Sequence, residues 1–353
     1  MTGPKRILLS NEALMLAEGI ARGGRPSPST VQFFQESGLA EDGFLDPTLS
    51  HVLRVLDSAA LAITATRLIP GSTNYQALSL AAPAGDADFV AKGGSDEVRD
   101  LLWLGPATDA AVHLADFLGL AAPASDAQSQ SFDLTRDGWF ALCALADFQV
   151  LTHLRAQIDA VPAAPPTVEA LERLTTETLG RADTYRAAFA AERLAPESGT
   201  RPDIASGIAS LPPAILTSAE PVELSPEGRL VVESVAQALV WGQVTAFVAG
   251  QDGPPACLTT LRGVTNALLI GWNADGTACS VTVHDAPSAT YALYSILLDT
   301  VERSAAQPTP ESPQSTPAAP DVTTSHARFC ASCGNQLSPS AKFCAACGNP
   351  VAT

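Results

Sequence analysis

The chain has no apolar segment long enough to cross a bilayer as a helix, which takes about 18–20 uninterrupted apolar residues. The best candidate, Ala238 to Gly250, is shorter and carries Gln243 and Thr245. A secretory signal is also missing, because the apolar run Ile7-Leu8-Leu9 is interrupted at once by Ser10-Asn11-Glu12. The sequence therefore predicts a cytoplasmic protein that does not insert into a membrane.

Charged residues are few, at 16%, against about 25% in average proteins. Acids dominate, with 37 Asp and Glu against 20 Lys and Arg, for a net charge of −17. The charges of the last fifty residues cancel, so the acidic excess lies in residues 1–303. So negative a body repels the phosphates of nucleic acids and anionic lipids. We therefore do not expect a nucleic-acid partner.

Common catalytic motifs are absent: the sequence contains no phosphate-binding loop, dinucleotide fingerprint, zinc-protease motif or hydrolase elbow. His113 follows Asp109 by one helical turn, which is typical of a solvated helix face. Asp285, next to His284, is interpreted as a helix cap. Three scattered cysteines, Cys143, Cys257 and Cys279, are interpreted as buried small apolar residues. The sequence favours a non-enzymatic protein with no catalytic or cofactor-binding residues and no small-molecule substrate.

The other four cysteines lie near the C-terminus in a repeated motif. Residues 328–335 read Arg-Phe-Cys-Ala-Ser-Cys-Gly-Asn, and residues 342–349 read Lys-Phe-Cys-Ala-Ala-Cys-Gly-Asn. The four candidate metal ligands are Cys330, Cys333, Cys344 and Cys347. Four thiolates in two Cys-x-x-Cys pairs suit one tetrahedral structural Zn²⁺. A thioredoxin-type redox pair needs a single motif at a helix start, and a catalytic zinc needs an open coordination position, so both alternatives are disfavoured.

This segment, over about residues 328–350, resembles the short zinc-ribbon family that is appended to many bacterial proteins. A unit of this size buries too little surface to fold alone. Zinc binding must therefore supply the folding free energy, and in comparable peptides the free energy of zinc binding is roughly 10–16 kcal/mol. The preceding residues, 304–327, are almost entirely Ala, Pro, Ser, Thr and Gln. That composition predicts a disordered linker.

The body, residues 1–303, contains two similar stretches. Leu45-Asp46-Pro47 and Leu224-Ser225-Pro226 each open an apolar helical pattern that a strand-like run follows. Pro106 and Pro287 each open a later helix, and the two pairs of prolines are offset by 179 and 181 residues. Between these landmarks the predicted strands cover about 61–69, 73–81, 87–92 and 97–104 in the first copy, and 240–249, 256–261, 265–272 and 279–284 in the second. These matches indicate an internal duplication.

The predicted fold class is α+β: a pseudo-duplicated body of two antiparallel meander sheets with flanking helices, plus a small C-terminal zinc ribbon on a disordered linker. The predicted domains are a first α+β half (1–125), a second half with extra helices (126–303), the linker (304–327) and the zinc ribbon (328–353).

The helices around paired meander sheets, the length and the acidic composition resemble EspG-type cytosolic chaperones of actinobacterial type VII secretion, over about residues 5–302. The resemblance implies recognition of helical secretion substrates. We therefore expect a chaperone-like adaptor that binds a protein partner. Two alternatives stay open: an enzyme whose site assembles only in three dimensions, with His113 or His284 beside a carboxylate, and a nucleic-acid regulator that acts through winged-helix-like segments and the ribbon.

Overall fold

The computed structural model describes residues 5–21, 27–41, 44–72, 75–85, 88–94, 98–120, 130–160, 165–196, 200–250, 255–264, 266–284, 286–305, 328–329 and 336–337. The chain divides into two compact units, Met1–Gln307 and Pro308–Thr353. The predicted boundary at residue 125 and residues 306–327 of the predicted linker lie outside the described residues. Residues 304 and 305, which were predicted to belong to the linker, instead end the helix Ala286–Ala305.

The first half of the body, up to residue 120, places its elements in the order strand, two helices, hairpin, helix, four strands and helix. They are β1 (Lys5–Ser10), α1 (Asn11–Ala21), α2 (Pro28–Glu36), β2 (Ala40–Glu41), β3 (Phe44–Leu45), α3 (Pro47–Asp57), β4 (Ala59–Leu68), β5 (Gln76–Pro83), β6 (Phe89–Gly94), β7 (Val98–Gly105) and α4 (Ala107–Phe117).

The second half repeats this order with an insertion of two helices, α6 and α7. Its elements are β8 (Gln130–Thr135), α5 (Arg136–Asp159), α6 (Val168–Arg181), α7 (Ala187–Leu194), α8 (Ile204–Ser210), β9 (Leu216–Ala219), β10 (Val222–Leu224), α9 (Pro226–Ala236), β11 (Val240–Val248), β12 (Ala256–Arg262), β13 (Ala267–Trp272), β14 (Ala278–His284) and α10 (Ala286–Ala305). Within the described residues, α6 and α7 have no counterpart in the first half.

Ten strands form one antiparallel sheet in the order β1-β7-β6-β5-β4-β11-β12-β13-β14-β8. At its centre β4 pairs with β11, from Leu61 opposite Val248 to Leu68 opposite Trp241. Outward from this pair, the strands of the two halves follow each other in the same order. The predicted α+β class and the duplication are confirmed, and the two meanders prove to be one continuous sheet.

Local capping explains why a helix begins at each of the two matching sequences, Asp46-Pro47 and Ser225-Pro226. The Asp46 carboxylate accepts hydrogen bonds from the backbone N–H groups of Thr48 and Leu49, and the Ser225 hydroxyl accepts one from Gly228. A proline follows each cap at the first helical position, where its missing N–H costs nothing. Both copies thus begin their helix, α3 or α9, in the same way.

Helices cover both faces of the sheet. On one face, α4 and α10 pack against each other, α10 contacts the central strands β4 and β11, and α4 contacts β6 and β7. Buried apolar side chains such as Ile63 and Val244 lie in this layer. On the opposite face, α1, α2 and α3 cover the first half around Phe34 and Leu53. Helices α5, α7, α8 and α9 cover the second half around Trp139. The core therefore has two layers, one on each side of the sheet.

Helix α5 is the central helix of the second half. Its first three turns are buried on all sides, and α8 crosses it so closely that a Cβ at Gly207 would lie 2.3 Å from the backbone oxygen of Asp137. By contrast, Gly180 in α6 has nothing within 4 Å of its Cβ position. Close packing of α8 on α5 therefore requires glycine at position 207.

The two outermost strands, β1 and β8, were not anticipated from the sequence. Each is followed by a helix with a side-chain cap: the Ser10 hydroxyl accepts a hydrogen bond from the N–H of Ala13, and the Thr135 hydroxyl accepts one from the N–H of Gly138. Each outer strand is six residues long and pairs with the sheet on one side. Of the helices that the structure describes, none is long and apolar enough to cross a membrane.

Candidate metal centre and candidate binding surfaces

The C-terminal unit contains one described hairpin. Arg328–Phe329 (β15) pairs antiparallel with Gln336–Leu337 (β16), and Phe329 lies opposite Gln336. The six residues between these strands in the sequence carry Cys330 and Cys333. Such a return of the chain suits a metal-binding knuckle, whose two thiolates must face one ion. All four predicted ligands, Cys330, Cys333, Cys344 and Cys347, lie outside the described residues.

The largest of the three cavities described here is an open groove of about 540 Å³ in the second half, between α5, the β9–β10 hairpin and α9. We call it the α5–α9 groove. Its apolar lining includes Leu145, Phe148, Val222, Leu224 and Val232, and its polar lining includes Gln149, Thr217, Glu223, Arg229 and Glu233. Such a lining presents an apolar floor with a charged rim.

A second cavity, of about 130 Å³, lies where the inserted segment meets the central strands, and Leu68, Trp241 and Asp147 line it. The Asp147 carboxylate is buried and accepts hydrogen bonds from the N–H groups of Ala187, at 2.7 Å, and Ala188, at 3.0 Å. Burial raises the pKa of Asp147 to about 6, although the two N–H groups and the nearby Arg186 act in the opposite direction. This carboxylate therefore fixes the start of α7 on α5.

A third cavity, of about 160 Å³, lies between α5, α6 and the residues before α7. We call it the arginine groove. It is lined by Leu151, Arg155, Leu174, Glu177, Thr178, Arg181, Asp183 and Arg186. Three arginines, one in α5, one in α6 and one directly before α7, thus line one small space.

A histidine–aspartate pair lies on the first half. The Nε2 atom of His51 is 2.5 Å from a carboxylate oxygen of Asp88, whose other oxygen accepts a 2.7 Å hydrogen bond from the indole N–H of Trp103. The rings of His51 and Trp103 are 4.8 Å apart. The pair joins α3 to the sheet. Sequence reasoning missed it because 37 residues separate its two members.

Among the described residues, no ion pair joins His113 to Asp109. Neither His113 nor His284 lines any of the three cavities above. Asp285 lies outside the described residues. In the described part of the chain, no group of three His, Cys, Asp or Glu residues is arranged to hold a metal ion.

Two of the three body cysteines are buried, as predicted, and the third is partly exposed. Cys143 and Cys279 are buried, and Cys257 is half-buried. Burial raises the pKa of Cys143 well above its usual value, raises that of Cys257, and raises that of Cys279 to about 12. The thiolate is the reactive form, so these thiols are poor nucleophiles at neutral pH.

Comparison with known proteins confirms the zinc-ribbon resemblance. Residues 329–351 match the model of the zinc-ribbon domain family. No curated protein matches the chain in sequence. Among solved structures, the chain is similar to the Mycobacterium tuberculosis type VII secretion system chaperone EspG5, whose structure was determined in complex with the PE25–PPE41 dimer. The similarity covers 84% of this chain and 96% of that chain, at 12% identity and a TM-score of 0.45. A similarity of this degree identifies no binding residue in this chain.

Proposed function

We propose that the chain is a non-enzymatic cytoplasmic adaptor whose body binds a protein partner through the α5–α9 groove and whose C-terminal ribbon holds one structural Zn²⁺. The observation that supports partner binding is the groove itself. Its floor is built from core side chains, since Leu145, Val222 and Val232 are almost fully buried, and yet about 540 Å³ beside them is open. Apolar anchors from a partner would fill such a space and gain from leaving water.

The rim of the groove gives a partner directional contacts. Glu223 and Glu233 carry negative charge, and Arg229 lies with them along the lining. The Nε–H of Arg229 donates to the carbonyl oxygen of Leu224, 3.3 Å away, which orients the guanidinium. A partner helix or loop with apolar anchors and basic flanks would complement this rim, because opposite charges at an interface favour the correct register.

The proposed zinc site rests on the donor set. Two Cys-x-x-Cys pairs supply four thiolates, and the pairing of β15 with β16 returns the chain around the first pair. Zn²⁺ would supply the folding free energy that so small a unit lacks. Arg328 and Lys342, which precede the two knuckles, are placed in the sequence to offset the negative charge of the thiolates.

A site-specific crosslinking experiment tests the groove. A photo-reactive phenylalanine analogue replaces Gln149, an exposed residue of the lining, in the full chain in its native host cells. The matched control places the same group at Glu172, an exposed residue of α6 that lies outside the groove lining. We expect a discrete protein adduct from position 149 and none from position 172. Equal adducts from both positions, or none from either, would contradict binding in the groove.

A further inference from the structure

The arginine groove belongs to the inserted helices α6 and α7 and to the α5 helix beneath them. Arg155 lies in α5, Arg181 is the last residue of α6, and Arg186 directly precedes α7. The half-buried side chains of Leu151 and Leu174 form an apolar part of the lining. In a chain with a net charge of −17, three cationic groups around one small cavity require an explanation.

One of the three arginines is already paired. The Nε atom of Arg186 lies 3.3 Å from the carboxylate of Asp183, and Arg186 also acts electrostatically on the buried Asp147. The Asp183 carboxylate also accepts a 3.1 Å hydrogen bond from the backbone N–H of Tyr185. Arg186 and Asp183 therefore serve the docking of α7.

The other two arginines have no such ion-pair partner among the described residues. Within the described part of the chain, neither Arg155 nor Arg181 lies within 4.0 Å of a carboxylate oxygen. Glu177 lines the same groove one helical turn before Arg181, but it forms no ion pair with either guanidinium. Two exposed guanidinium groups thus face a cavity whose remaining acidic member, besides the paired Asp183, is Glu177.

We infer that the arginine groove binds an oxyanion, a carboxylate or a phosphate group, between the guanidinium groups of Arg155 and Arg181. A guanidinium presents a planar fork of N–H donors that matches two oxygens of such a group. The apolar side chains of Leu151 and Leu174 reduce the exposure of the bound group to water, which strengthens the charge interaction. The site does not depend on the proposed use of the α5–α9 groove.

The test follows the arginine side chains directly. The full chain is labelled with ¹⁵N-arginine, and the Nε–H signals are recorded by NMR while inorganic phosphate, or in a second arm acetate, replaces chloride at constant ionic strength. We expect saturable shifts of the Arg155 and Arg181 signals with phosphate, with acetate or with both. A response to phosphate alone would identify a phosphate site, whereas a response to acetate as well would identify a general carboxylate and phosphate site.

Variants locate the site. Arg155→Gln or Arg181→Gln is expected to raise the apparent Kd of the anion by about tenfold or more, since each removes a charge-assisted contact. Arg173→Gln is the matched control, because Arg173 is exposed on α6 and outside the groove lining. Overlapping titration curves for all three variants, or shifts of the Arg155 and Arg181 signals that never saturate, would overturn the assignment.

Discussion

Replacement of Asp147 by asparagine is expected to remove the contribution of this one carboxyl group to the pH dependence of stability between pH 5 and 8. The Asp147 carboxylate is buried beneath α7, and burial raises its pKa from 3.8 to about 6. The folded chain therefore holds the proton more tightly than the unfolded chain does. Stability is greatest when the carboxyl group is protonated, and it falls as the pH rises through about 6.

The size of the effect follows from the difference between the two pKa values. A difference of about two pKa units corresponds to about 3 kcal/mol over the full titration, of which roughly half, about 1.4 kcal/mol, falls between pH 5 and 8. This interval also avoids the isoelectric point near 4.6, where solubility is lowest. Asparagine does not titrate. The free energy of unfolding of the native chain minus that of Asp147→Asn should therefore fall, between pH 5 and pH 8, by the amount given above for that interval.

Urea unfolding of the full chain, followed by circular dichroism at several pH values, measures this difference. The matched control is Asp203→Asn, since Asp203 is exposed and the N–H of Ser206 lowers its pKa. Asp203 is ionised in both the folded and the unfolded chain throughout the interval. The free energy of unfolding of the native chain minus that of Asp203→Asn should therefore not change with pH. A flat curve for Asp147 as well, or one that rises with pH, would refute the role of burial at this carboxylate.

Three other sets of changes test the ribbon, the packing and the caps. Cys330→Ser should lower zinc content, measured by atomic emission, from one ion per chain, while the melting of the body stays unchanged. Gly207→Ala should destabilise the body by about 1–3 kcal/mol in urea unfolding, because its Cβ would overlap the backbone of α5. Gly180→Ala, with open space around it, should instead stabilise α6 by about 0.5–1 kcal/mol. Asp46→Ala and Ser225→Ala should each cost about 1 kcal/mol, and a tenfold disparity between these equivalent caps would argue against the shared role.

Much of the fold could be predicted because it rests on local signals. The Asp46-Pro47 and Ser225-Pro226 dipeptides mark two helix starts through capping and the fixed φ of proline. Turn-forming residues separate the strands, so the predicted strand positions agree with the structure to within about three residues. Even the duplication could be found, since it keeps those local signals at equal offsets.

What the sequence did not reveal depends on contacts between distant residues. Strands β1 and β8 are stabilised by pairing with β7 and β14, and such pairing leaves no local signature. The pairing of His51 with Asp88, and the convergence of Arg155 and Arg181, arise only after the helices dock. The raised pKa of Asp147 likewise follows from the inserted segment that covers it.

The antiparallel pairing of β4 with β11 relates the two halves in the way that a twofold axis relates the subunits of a dimer. Each central strand offers the other its free edge in antiparallel orientation, and two identical polypeptides related by a twofold axis would meet in the same way. In a single chain, unlike in a dimer of identical polypeptides, the two halves need not stay alike. The second half accordingly contains α6 and α7, which have no counterpart among the described residues of the first half.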